Sequence, residues 1–148
     1  MDRLDEGLAI CKLMLTEDKP SFTGKYYEIH EPRNIPRPIG KVPILVGGNG
    51  EKRTLRIVAK YADACNIQGE PEDITRLSGV LRDHCDAVGR DPSEIQVTAA
   101  MPRNPSLDEF RAAVEQRIAA GATGVCQLMS PDPAVIAARG TILRELLP

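Results

Sequence analysis

The sequence has few aromatic residues and almost no excess charge of either sign. Three Tyr, two Phe and no Trp make up 3% of its 148 residues, and 19 Lys and Arg stand against 21 Asp and Glu. A nucleic-acid-binding surface needs a basic surplus to neutralise phosphates, and a single-strand platform needs aromatic rings on which bases stack. We therefore expect no nucleic-acid partner.

The sequence also lacks long apolar runs and closely spaced cysteines. No run reaches the roughly 20 apolar residues of a membrane-spanning helix, and residues 1–6 lack the apolar stretch of a signal peptide. The four cysteines are far apart, with no C-x-x-C pair and no neighbouring pair of histidines. This spacing argues against a disulfide framework and against a zinc site. We expect no metal, no membrane contact and a cytoplasmic location.

The composition that remains is that of one folded domain, spanning residues 1–148. Apolar residues make up 42% of the chain, which is enough for a core. The length excludes a complete eight-unit β/α barrel, which takes about 250 residues.

Three stretches with different patterns follow one another along the chain. Residues 1–19 form a leading helix, because Leu4, Leu8, Cys11 and Leu15 recur at helical spacing. A Pro-rich connection spans 20–41, with a short β-like piece near 25–29. Four strand–helix units occupy 42–148.

The four units alternate short apolar runs with amphipathic helices. The strands are predicted near 42–47, 62–68, 95–101 and 124–130. The first of them, with its apolar run from Val42 to Val46, has the pattern of a strand buried on both faces. Alternating strands and helices predict a parallel α/β sheet. Two architectures satisfy this pattern: an open doubly wound sheet, or half of a β/α barrel with two bare edges.

The strongest candidate site is a Gly-rich turn between the first of these strands and the helix predicted from Glu51. Backbone N–H groups at a helix N-terminus suit an anion, most often a phosphate, and glycines let it approach. The candidate residues are Gly47, Gly48, Asn49 and Gly50. Lys52 and Arg53 either add positive charge there or form a solvated surface pair. The other interpretation is a tight turn without a ligand.

Polar side chains also end the other predicted strands, where they either hydrogen-bond a substrate or only finish the strand. Asn66 and Gln68 end the second strand, Met101 and Arg103 the third, and Met129 and Ser130 the fourth. His30 and His84 belong to no Ser-His-Asp or Cys-His set, Asp63 is interpreted as a backbone cap, and Cys65 as a buried strand residue. The residues indicate a place to bind and leave the catalytic residues unknown.

Five segments, in this order and spacing, carry a family resemblance. They are Arg3–Leu15, Pro20–Tyr27, Pro36–Pro38, Pro43–Gly48 and Tyr61–Asn66. The ordered set resembles the C-terminal half of a luciferase-like, F420-dependent oxidoreductase. Ala64-Cys65 departs from the Gly and bulky residue that the family usually has.

The resemblance implies a fold and a cofactor. The fold is the C-terminal half of a TIM-type (β/α)8 barrel with a leading helix. The cofactor is F420, with FMN as the alternative, and its phosphate is held by the backbone N–H groups of Gly47, Gly48, Asn49 and Gly50. The expected chemistry is hydride transfer between the cofactor ring and a small-molecule substrate.

The same resemblance places the redox-ring site in the other half of the barrel, which leaves open whether this chain alone is an active enzyme. Its bare strand edges predict a homodimer or larger species. The alternatives are a non-catalytic α/β module that binds a phosphorylated small molecule, and a truncated remnant that acts through self-association.

Overall fold

The computed structural model describes residues 1–128 and 132–147 of the chain. The helices are α1 (Asp2–Thr16), α2 (Thr54–Tyr61), α3 (Pro71–Val88), α4 (Leu107–Ala119) and α5 (Pro133–Leu146), with a 3-10 turn at Pro92–Glu94. The strands are β1 (Ser21–Thr23), β2 (Glu28–His30), β3 (Leu45–Gly47), β4 (Ala64–Ile67), β5 (Gln96–Ala100) and β6 (Gly124–Cys126).

Strands β3 to β6 form one parallel sheet in the order β3-β4-β5-β6. Val46 lies opposite Cys65, which in turn lies opposite Val97. Each strand pairs with the next one along the chain after a helical crossover, which is the connection of a barrel segment, whereas a doubly wound sheet reverses its strand order. The predicted α/β fold with four parallel strands is confirmed.

The strands are shorter than the sequence predicts. β3 begins at Leu45 instead of residue 42, because Pro43 has no N–H to donate and the Ile44 N–H donates to the Asp63 carboxylate at 2.9 Å. The fourth strand ends at Cys126 in the described residues, and positions 129 and 130 of its predicted range lie outside them.

The core lies between one face of the sheet and helices α2 and α3. The predicted apolar stripes of both helices are buried there. They are Leu55, Val58, Ala59 and Ala62 around α2, and Ile74, Leu77, Leu81 and Cys85 on α3. A smaller cluster, with Phe110, Val114 and Ile142 at its centre, joins α4 to α5.

The opposite face of the sheet, which we call the open face, carries mainly small and polar side chains, together with the apolar Leu45. Side chains alternate along a strand, so Leu45 and Asn66 point away from the core that holds Val46 and Cys65. Leu45 is 57% exposed, whereas Val46 is 8% exposed. The prediction that the first strand is buried on both faces is therefore wrong for this chain.

The leading helix has no fully buried residue. It is held by the partly buried Leu8, which packs against the core, and by polar contacts. The Glu6 carboxylate accepts the backbone N–H groups of Lys25, Tyr26 and Tyr27 at 2.9, 2.8 and 3.0 Å. These donors belong to the turn between β1 and β2, an antiparallel hairpin where the sequence predicted a single β-like piece. Burial acts to raise the pKa of Glu6, but these three hydrogen bonds outweigh it and lower that pKa.

Candidate functional site

The Gly-rich turn leaves the sheet at the carboxyl end of β3. The Gly48 N–H donates to the Asn66 carbonyl at 3.1 Å, which extends the sheet by one bond. The φ angle of Gly48 is +133°, a conformation that residues with a side chain rarely adopt. Gly48 thus directs the chain sharply away from the sheet.

Beyond Gly48 the turn has a run of backbone donors without partners. The N–H groups of residues 49–54 donate to no atom of the chain within 1–128 and 132–147. The Leu55 N–H reaches back to the Gly50 carbonyl at 3.0 Å, and α2 begins at Thr54 instead of at the predicted Glu51. The turn is therefore wider than predicted, with its donors free at the positive end of the helix.

A reciprocal pair of hydrogen bonds ties this turn to the loop after β4. The Asn49 side chain accepts the Gln68 N–H at 3.0 Å, and its amide donates to the Gln68 carbonyl. The Asn66 amide donates to the Thr98 hydroxyl at 2.9 Å, so it links β4 to β5. Of the two predicted side chains at this strand end, Asn66 has a protein partner, while the Gln68 amide has none among the described residues.

The two basic residues of the turn have different surroundings. Arg53 forms an ion pair with Asp2 of the leading helix. Lys52 forms no ion pair or hydrogen bond with any described residue. Lys52 is therefore the basic side chain of this turn that stays available for an anion.

Glu51 fixes the turn from the side of α3. Its carboxylate pairs with Arg76, and its carbonyl oxygen lies 2.7 Å from His84 Nε2. His84, which sequence reasoning set aside as a catalytic residue, thus lies beside the turn and contacts its backbone.

A buried arginine holds the loop after β4 against the end of β5. The Arg117 side chain is 3% exposed. Its Nε donates to the Ala100 carbonyl at 2.9 Å, and its Nη2 donates to the Gly69 carbonyl at 3.4 Å. One guanidinium therefore joins two neighbouring loops.

A second buried arginine holds the loop after β5. Arg139 donates to Gln127 Oε1 at 3.1 Å and to the Pro105 carbonyl at 2.8 Å, and its guanidinium lies 5.3 Å from the centre of the Phe110 ring. Gln127 in turn donates to the Pro102 carbonyl at 3.1 Å. We call this set the Gln127–Arg139 clamp.

Sequence reasoning missed both arginines. Arg117 follows Phe110 by seven residues and Val114 by three, so it lies on the buried stripe of α4. Arg139 precedes the buried Ile142 by three residues on α5. A charged residue at an apolar stripe position was the signal that could have identified each.

The remaining sequence candidates have structural roles. Asp63 caps the Ile44 N–H as predicted; burial acts to raise its pKa, but Lys41 at 2.5 Å and that N–H lower it. Cys65 is fully buried as predicted, and burial raises the pKa of its thiol to about 11, so it stays protonated. His30 is exposed and contacts Glu28 at 2.9 Å.

Taken together, the strand ends offer hydrogen-bond donors and one unpaired lysine. Residues 1–128 and 132–147 contain no cluster of three His, Cys, Asp or Glu side chains that could hold a metal ion. In the same ranges no helix has both the length and the apolar character needed to span a bilayer. Backbone N–H groups at the start of a helix are a type of donor that anions accept from.

Comparison with known proteins identifies a family pattern along most of the chain. The family model described as luciferase-like monooxygenase matches residues 1–122. An uncharacterized protein of Mycobacterium bovis is 31% identical over 109 residues, which are 73% of this chain and 35% of that protein. The F420-dependent hydroxymycolic acid dehydrogenase of Mycobacterium tuberculosis is 27% identical over 94 residues, or 64% of this chain and 26% of that protein.

Among solved structures, an F420-dependent secondary alcohol dehydrogenase superposes with a TM-score of 0.77 at 17% identity. The match covers 99% of this chain and 61% of that enzyme. The chain thus spans about a third or less of the length of these curated relatives and about three fifths of this solved structure. The superposition identifies the four-stranded sheet as part of a TIM barrel.

Proposed function

Because the chain belongs to the luciferase-like monooxygenase family, we propose that it takes part in F420-dependent hydride transfer and binds the cofactor phosphate at the turn after β3. FMN is the alternative cofactor. The relatives named for F420 support the cofactor class. The observation that carries the phosphate site is the run of unpaired N–H groups at 49–54.

The residues of the turn fit a phosphate in three respects. Gly48 supplies the bend, since its φ of +133° suits glycine, and its own N–H stays in the sheet. The donors of 49–54 face no competing acceptor of the described chain, and Lys52 adds an uncommitted positive charge. Asn49 fixes the turn to Gln68, so the donors are ordered before the ligand arrives.

In the proposed mechanism F420, when bound, supplies the hydride chemistry. The residues of this chain bind and orient: the turn anchors the phosphate, and the ends of β4 to β6 form one wall of the substrate site. Arg117 and the Gln127–Arg139 clamp keep the loops of that wall in register. The chain's role is therefore positioning and the exclusion of water, which is the protein's usual contribution in cofactor enzymes.

The phosphate site is tested by a pair of ligands that differ in one group. FMN and riboflavin share a ring and differ by the phosphate, so we expect FMN to bind at least about tenfold more tightly, about 1.4 kcal/mol. Fluorescence titration measures both affinities, and amide shifts of residues 49–54 locate the phosphate. Equal affinities for FMN and riboflavin would remove the phosphate site. F420 is titrated in parallel to choose between the cofactors.

A non-catalytic module that binds a phosphorylated small molecule is the second candidate function. It is favoured by the side chains that sequence reasoning named at the strand ends, since Asn66, Gln68 and Arg103 include no carboxylate and no imidazole. Steady oxidation of an alcohol with F420 by the purified chain would reject the module. Cofactor binding without turnover, also after mixing with a barrel half from a relative, would favour it.

We also propose that the chain works as a homodimer or larger species in the cytoplasm. The open face and the free edge of β3 support assembly, because Leu45 is left 57% exposed there. The free thiols of all four cysteines fit a reducing compartment. Sedimentation that shows a compact monomer at micromolar concentration would reject the dimer.

A further inference from the structure

We propose that the cavity at the carboxyl ends of β4, β5 and β6 binds the carboxylate of a small organic acid, with Arg103 as the anion-binding residue. This names a substrate class for the enzyme, and in that sense it rests on the proposed function. The site itself is separate from the Gly-rich turn and can be tested without a cofactor.

The cavity has a volume of about 360 Å³. It is lined by Asn66, Gln68, Ala100, Met101, Pro102, Arg103, Cys126, Gln127 and Leu128. Arg103 is the one charged residue among the described residues of this lining. A cationic cavity without a carboxylate selects an anion over a cation or a neutral ligand.

The Arg103 guanidinium is uncommitted. Among residues 1–128 and 132–147 it has no ion pair, hydrogen bond or ring contact. This differs from Arg117 and Arg139, whose guanidinium groups are occupied by backbone carbonyls and the Gln127 amide. The fold thus uses two arginines to build the loops and leaves a third one free at the cavity.

The loop that carries Arg103 is fixed on both sides of it. The Pro102 carbonyl accepts a hydrogen bond from Gln127, and the Pro105 carbonyl accepts one from Arg139. Asn104 has a φ of +47°, a left-handed conformation that Asn tolerates better than most residues. These bonds occupy loop carbonyls that would otherwise compete for the Arg103 guanidinium, so its donors remain available to a ligand.

The rest of the lining favours a carboxylate on a short carbon chain. A planar guanidinium matches a carboxylate with two parallel hydrogen bonds, and the unpaired Gln68 amide can add a donor. Ala100, Met101 and Leu128 offer apolar surface to the carbon chain. A phosphate dianion is better served by the turn, where backbone donors are more numerous.

The test uses pentanoate, with its neutral isostere pentanamide as the matched ligand. Both are titrated into the isotope-labelled full chain, and amide shifts are followed by NMR. We expect pentanoate to shift the amides of 66–68, 101–103 and 126–128. Pentanamide should bind at least about tenfold more weakly, because hydrogen bonds between two charged groups are stronger than those to a neutral amide. Arg103→Gln should weaken pentanoate binding by a similar factor. The matched variant Arg82→Gln should not, since Arg82 lies on α3 and has no partner in the part of the chain that the structure describes.

Several outcomes would overturn the proposal. Equal binding of pentanoate and pentanamide rejects a carboxylate site, and this result needs no variant to be folded. Undiminished pentanoate binding by Arg103→Gln, or shifts confined to residues 47–54, rejects Arg103 as the binding residue. If the full chain binds pentanoate but neither FMN nor F420, the proposed function is refuted and this proposal stands. If the full chain binds FMN or F420 but not pentanoate, this proposal is refuted and the proposed function stands.

Discussion

Replacing Gly48 with alanine should weaken cofactor binding as well as lower stability, whereas an equally strained glycine away from the turn should lower stability alone. The position is strained for any residue with a side chain, because φ is +133°. The space itself is not closed, since an added Cβ would meet Thr54 Cγ2 at 3.4 Å, an ordinary contact. The substitution therefore acts through the backbone, and the chain relieves it by moving the turn.

The size of the effect follows from that strain. A residue forced into a sparsely populated backbone region costs about 1–3 kcal/mol. For a domain of this size each kcal/mol lowers Tm by about 2–4 °C. If the turn moves to relieve the strain, the donors of 49–54 leave their positions, and we expect the Kd for FMN to rise at least about tenfold.

Gly121→Ala is the matched control. Gly121 ends α4 with a φ of +102°, and an added Cβ there would meet no atom within 4 Å. Its strain is comparable and it lies away from the turn, so Gly121→Ala should lower Tm similarly and leave FMN affinity unchanged. Thermal unfolding followed by circular dichroism measures the first quantity, and fluorescence titration measures the second.

Two results would refute this reasoning. If Gly48→Ala loses stability but binds FMN as the parent chain does, the turn does not hold the phosphate. If Gly121→Ala weakens FMN binding as strongly as Gly48→Ala, affinity follows overall stability and carries no information about the turn.

Three further predictions concern single side chains. Lys52→Gln should weaken FMN binding about threefold at low salt, and this difference in Kd should shrink at high salt because exposed charges are screened. Titrations at two salt concentrations check this, and a difference in Kd that does not change with salt would contradict it. Arg117→Met should lower the free energy of unfolding by about 2–4 kcal/mol, because it removes the donors to the part-buried carbonyls of Ala100 and Gly69. Urea unfolding measures this, and a loss below about 0.5 kcal/mol would show that the loops do not depend on Arg117. The pKa of Glu6 is lowered from its ordinary value, so its contribution to stability is present above that ordinary value and is lost as the pH falls through the lowered pKa. Acid unfolding should therefore show a smaller pH dependence for Glu6→Gln, and identical profiles would reject the role of its carboxylate.

The sequence predicted the sheet well because apolar periodicity records burial directly. The stripes around Leu55 and Ile74 mark the faces that the sheet covers, and both are fully buried. The same reasoning was wrong for Leu45. An apolar run indicates side chains that are stable when buried, but it does not show whether this chain contains the residues that bury them.

The site was predicted less completely because its geometry comes from contacts between distant residues. The Gly-rich turn is visible locally, and sequence reasoning placed it correctly after the first strand of the sheet. Its width depends on Asn49 meeting Gln68 and on the late start of α2 at Thr54. No local pattern encodes a pairing across 19 residues.

The hydrogen bonds between neighbouring loops have a consequence for redesign. Asn49 joins the loop after β3 to the loop after β4, and Arg117 joins the loop after β4 to the end of β5. The Gln127–Arg139 clamp joins the loop after β5 to the loop after β6. A loop grafted singly from a relative would lose its bonds to its neighbours and displace them. Neighbouring loops of this scaffold should therefore be exchanged together, along with Arg117 or Arg139, whichever joins them.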